Sequence, residues 1–192
     1  IFYISNGRIP VRDKSYNWKA TLPGNTSKTL WTELHPLSNL PQVLQPKAGY
    51  VYNTNHSPFH STEGTDNPLV KDITMGYETL ENNRSMRFAE LMQPLNKVSY
   101  EDFKRIKFDR QFPSSFYFPS KIDSVFLLNS TEFPDIADII IQLNNWNRNS
   151  DAESIGAGTF FFVQAAANKN KALYLQNKSI SKTLAAQLLR EA

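Results

Sequence analysis

Apolar and polar positions along this chain change period once, and the change divides it into a strand-like first third and a helical remainder. Ile1 to Ile4 is a β-prone run, IFYI, followed by Asn6-Gly7 and then Ile9 to Val11. An Asn-Gly pair between two apolar runs predicts a two-residue hairpin. Gly49 to Asn55, GYVYNTN, alternates so that Val51, Asn53 and Asn55 share one face and Tyr50, Tyr52 and Thr54 the other. Pro41, Pro46 and Pro58 bracket that stretch, and because proline cannot donate to a ladder they limit where the strand begins and stops. From Phe59 to about Tyr77 the chain is polar and irregular, HSTEGTDNP, and reads as a surface loop carrying Asp66.

Beyond it the spacing is helical. Arg84, Arg87, Phe88 and Leu91 fall at i, i+3, i+4 and i+7 on one face of a helix expected from about Leu80 to Met92, stopped by Pro94. Ser99 opens SYED, a capping box with Asp102 in the third position, and Phe103 and Ile106 give the next helix an apolar side. Ile136, Ile139, Ile140, Leu143 and Trp146 form a stripe after Pro134 at a helix start. Two more helices are expected, around Ile155 to Ala167 and from Ser181 to the end. The fold class expected is therefore α+β, as one segment of a larger domain, strand-rich over 1–60 and mainly helical over 78–192. Phe112, Phe116, Tyr117 and Phe118 could line a ligand pocket, and core packing is the reading favoured, because aromatics dominate cores.

Composition narrows the chemistry. The 192 residues contain no cysteine, which removes structural disulfides, thiolate metal sites and a cysteine nucleophile. The 21 basic and 18 acidic side chains leave a net charge of +3 spread along the chain, too weak a field to favour nucleic acid. No apolar run reaches the roughly 20 residues that span a bilayer, so no membrane anchor is expected. His35, His56 and His60 lack a metal-ligand partner at helical spacing, and the last two read as solvated loop residues. Phosphate-loop, serine-elbow and HExxH signatures are absent. Ile1 follows no methionine and no signal-peptide pattern, so the chain is expected to begin inside a fold.

The asparagines at the end of the Gly49 to Asn55 run admit two readings. They are turn formers closing an edge strand, or one of their amides is a hydrogen-bond donor to a developing oxyanion. A binding module that grips a glycan or peptide with aromatics and asparagines is the alternative function class.

GRIPVR, then LPG followed by Trp31, then LPQVLQPKAGYVYNTNHSP and ENNRSMR, occur in that order. In this combination the sequence resembles the β subunit of the penicillin amidase family, the N-terminal nucleophile hydrolases that include penicillin acylases and acyl-homoserine lactone acylases. PKAGYVYNTNHSP is the closest part, with Gln45 standing where the family usually has asparagine. The resemblance implies part of an αββα sandwich and hydrolysis of a linear small-molecule amide. An autocatalytically exposed N-terminal serine of the precursor would attack, and an acyl-enzyme would form. It implies Asn55 as oxyanion donor and Arg84 as its support near the nucleophile. Asp66 matches a carboxylate that binds a structural calcium in some members, and no other cofactor is implied. The partners implied are the α subunit and the remainder of the β subunit of the same precursor, in a periplasmic or secreted location. Ile1 has no nucleophilic atom, so the isolated chain is expected to be inactive.

Overall fold

A computed structural model describes residues 1–117, 122–170 and 179–192. The order of regular elements is β1 (Phe2–Ile4), β2 (Gln42–Leu44), α1 (Asn83–Met92), α2 (Tyr100–Lys107), α3 (Ala137–Asn144), α4 (Ile155–Lys169) and α5 (Lys182–Glu191), with short 3-10 turns between them. The mixture is α+β. The chain divides into two compact units, Ile1–Ser85 and Met86–Ala192.

In the first unit the Asn6-Gly7 hairpin does not form. β1 pairs instead with β2 in an antiparallel ladder, Phe2 opposite Leu44 and Ile4 opposite Gln42. The residues beyond Gly7 pair with a separate stretch ahead of β2, since Val11 N donates to Glu33 O and His35 N to Ile9 O. A distant partner outcompetes the local turn because it lets Val43 and Leu40, 3% and 2% exposed, enter the core with Phe59 and Met75. The Gly49 to Asn55 stretch is likewise no ladder strand. It is held at Tyr52 N, which donates to Ser61 O, and at Tyr50 O, which accepts from the Thr62 hydroxyl.

The polar stretch expected on the surface is partly interior. Ser57, Ser61 and Thr62 are buried, and 3-10 turns at Pro58–His60, Gly64–Asp66 and Ile73–Met75 fold the segment back on itself. Burial is tolerated because the polar atoms have local partners: Ser57 Oγ accepts from Phe59 N and Ser61 Oγ donates to Pro58 O.

The second unit follows the helical spacing closely. Ser99 and Asp102 form the capping box of α2, and acidic residues in its first turn with basic residues in its last complement the helix dipole. α2 buries none of its residues, and Phe103 stays exposed. The Ile136 stripe runs from a 3-10 turn at Pro134–Ile136 into α3, with Ile140 and Leu143 buried. α3, α4 and α5 enclose a core that includes Ile140, Phe160, Val163 and Leu188. Ala166, Ala167, Ala185 and Ala186 supply small side chains within that core. Phe112 and Phe116 join it, Phe116 lying 5.1 Å from Phe160 and 5.3 Å from Phe126 between ring centroids. Phe112 and Phe116 therefore pack the core, and Phe118 lies outside the described residues. The Arg148 guanidinium caps it 4.3 Å above the Phe116 ring.

Candidate active site

The first unit builds its site from two pieces of chain 29 residues apart, the turn at Asn53 to His56 and the start of α1. Asn53 Oδ1 accepts from Asn55 N at 2.7 Å, an Asx turn that swings Asn55 into the left-handed region at φ 59°. Asparagine tolerates that conformation better than most residues. The alternation expected of a strand therefore fails here, and the turn carries Asn55 to an exposed position.

Arg84 Nη2 donates to Asn55 Oδ1 at 3.1 Å. A guanidinium can only donate, so this contact determines which end of the Asn55 amide is oxygen. The Nδ2 group, a pure donor, then has no acceptor among the described residues. Arg84 sits in the first turn of α1, which has no acidic residue. A cation there opposes the helix dipole, a cost of roughly 0.3–1 kcal/mol at an exposed site. Helix stability does not account for an arginine at this position.

Residues to which the sequence reading gave no role hold the two pieces together. Asn82 Nδ2 donates to Thr54 O at 3.0 Å, and Asn82 Oδ1 accepts from Ser85 N at 2.9 Å. Asn82 N in turn donates to Ser85 Oγ at 3.0 Å, so Asn82 and Ser85 cap α1 reciprocally. The signal was present as Asn-x-x-Ser ahead of the helical stripe. His56, expected in solvent, is 9% exposed and stacks on Tyr52 at 4.7 Å. Its Nδ1 accepts from the Thr54 backbone N–H, which leaves Nε2 protonated and donating to His60 O at 2.8 Å. Burial of the Tyr50 hydroxyl, with the Glu63 carboxylate 3.3 Å away, pushes its pKa up to about 12. Burial, and then the charge of Glu81, raises that of Tyr52 further. Both phenols are neutral at physiological pH.

Asp66 lies elsewhere in the unit, where its carboxylate accepts from Lys47 N at 2.6 Å. Among the described residues no group of three or more acidic or histidine side chains could hold a metal ion. Arg87, on the same helix as Arg84, forms a two-pronged pair with Asp109 at 2.8 and 2.9 Å and reaches Glu90 at 3.2 Å. It is a structural ion pair of the second unit.

The penicillin amidase family model matches residues 1–189, and the chain belongs to that family. Penicillin G acylase from Escherichia coli is 36% identical over 58 residues, a stretch that is 30% of this chain and 7% of that protein. The chain thus matches only a small part of the length of this relative. No helix among the described residues is long and apolar enough to cross a membrane.

Proposed function

We propose that the protein to which this chain belongs is an acylase that hydrolyses a linear amide, and that Asn55 donates from Nδ2 to the oxyanion of the tetrahedral intermediate. The observation that carries this reading is the Arg84 to Asn55 contact, which presents the amide as an exposed, oriented donor. A donor that needs no reorientation as charge develops lowers the barrier. Arg84 is its support, and family membership supplies the reaction class.

The chemistry balances as acyl transfer. A serine hydroxyl at the N-terminus of the mature β subunit attacks the amide carbonyl while its α-amine, through water, takes the proton. The carbonyl electrons move to oxygen, where Asn55 Nδ2 and a backbone N–H from another segment hold them. Collapse breaks the C–N bond, the amine leaves with the proton, and water then cleaves the acyl ester to release a carboxylic acid. On this reading the nucleophile and the second donor come from other parts of the protein, so the chain by itself is expected to turn nothing over. The same reading assigns the two units to an αββα sandwich completed by the rest of the protein, processed from one precursor and exported. A calcium at Asp66 would need most of its six to eight oxygen ligands from outside this chain.

A glycan- or peptide-binding module has less support, because Phe112, Phe116 and Phe160 are spent on the core. The test is Asn55→Ala in the complete enzyme. Loss of one such donor is expected to lower kcat by about 10²–10³ with little change in KM. Turnover at the wild-type rate would exclude Asn55 from the oxyanion hole.

A further inference from the structure

We infer that Asn82 is a positioning residue for the same site: its side-chain amide ties the turn bearing Asn55 to the helix end bearing Arg84 and so sets the distance between them. This rests on the assignment of Asn55 as oxyanion donor.

A helix cap requires only an acceptor, and Asn82 Oδ1 meets that need through Ser85 N at 2.9 Å. Serine, threonine or aspartate would cap as well. Asn82 also uses its donor end, at 3.0 Å from Thr54 O, and the single proton of the Thr54 hydroxyl is shared between Asn82 Oδ1 at 3.3 Å and His56 Nδ1 at 3.1 Å. Thr54 immediately precedes Asn55, and Asn82 lies two residues before Arg84. The double link therefore spans the base of the contact whose tip is Arg84 Nη2 to Asn55 Oδ1. Both tip residues are exposed, whereas Asn82 and Thr54 are half-buried and Ser85 fully buried. Exposed side chains keep a fixed geometry only when the backbone beneath them is held. His56 holds Thr54 from the other side, through the bond from Thr54 N to Nδ1. The turn is thereby clamped between a buried imidazole and the helix cap.

Asn82→Asp separates the two duties. Aspartate retains the capping acceptor, so α1 keeps its start, but an oxygen replaces the donor that faces the Thr54 carbonyl and the link becomes a repulsion. In the complete enzyme, assayed on a chromogenic acyl 4-nitroanilide that the wild type cleaves, Asn82→Asp is expected to lower kcat about tenfold. KM should change by less than about twofold and the thermal midpoint should fall only slightly, since the cap is kept and loosening an oriented group costs the chemical step more than binding. Thr54→Val, which removes the hydroxyl half of the link from the opposite side, is expected to act in the same direction. Because Asn82 acts through Asn55, adding Asn82→Asp to Asn55→Ala should produce no further loss. Wild-type kcat in both Asn82→Asp and Thr54→Val, or an equal loss from Asn82→Asp with and without Asn55, would overturn the inference while leaving Asn55 as the donor. Wild-type kcat in Asn55→Ala alone would instead remove the assignment on which it rests.

Discussion

Gln45 adopts φ 47°, in the left-handed region where an unbranched side chain with a Cβ is disfavoured. It is also the position at which the chain departs from the asparagine of the motif it resembles, and the backbone supplies a reason for that asparagine. Asparagine and glycine enter this region at lower cost, so Gln45→Asn is expected to raise stability by up to about 1 kcal/mol, read as a higher denaturant midpoint with unchanged slope. Asn55 makes the complementary case at φ 59°, with its own N–H bonded to Asn53 Oδ1. Its residue type was legible from the sequence as either a turn former or an amide donor, and the structure shows the turn geometry and the exposed amide in one residue. His56 was not legible. Nothing in HSPFH separates a solvated imidazole from a buried one, because its partners, Thr54 N, His60 O and the Tyr52 ring, are set by how the turn closes.

Among elements, the helices were the readable part: in α3 the spacing that marks the helix is also what buries it, while α2, which buries none of its residues, was readable from its capping box. Pro94, the SYED box, Pro134 and Ser181 all act where a local signal says they should, because caps involve atoms within four residues of one another. Helix neighbours are another matter. Gly156 in α4 lies so close to Trp146 that a Cβ at that position would come within 2.5 Å of the indole Cγ. Gly156→Ala is expected to force Trp146 and α4 apart at about 1–3 kcal/mol, seen as a lower thermal midpoint, with smaller loss if Trp146 is also shortened. The strands were poorly read for the converse reason. β1 and β2 are 3 residues each and pair across a long stretch of chain, so the local Asn6-Gly7 signal could not reveal the partner.

For the whole molecule, one charge cluster that couples stability to pH is Arg87 with Asp109 and Glu90 in the second unit. Hydrogen bonds from Arg87 hold the Asp109 carboxyl below its ordinary pKa against the opposing effect of burial. For Glu90 burial pushes the pKa up, but bonds from Ser114 and Arg87 outweigh it and leave it lowered. A lowered folded-state pKa means the unfolded chain binds the proton first as pH falls. The stability these groups confer is therefore complete above their unfolded values, near pH 4–5, and is lost progressively as pH drops through the folded ones. Chemical unfolding between pH 6 and about pH 2.5 should show this decline, and Asp109→Asn should flatten it while lowering stability at pH 6; equal slopes in both proteins would remove Asp109 from the account. By itself the sequence determined the helices, their caps and the family-like order of motifs, because each rests on contacts between neighbours in the chain or on residue type alone. Only the tertiary structure decided that Asn55 and Arg84 meet and that Asn82 joins their backbones, because those contacts bring together segments some thirty residues apart, which no local periodicity encodes; that His56 is interior was decided by how its own turn closes on Thr54, His60 and Tyr52.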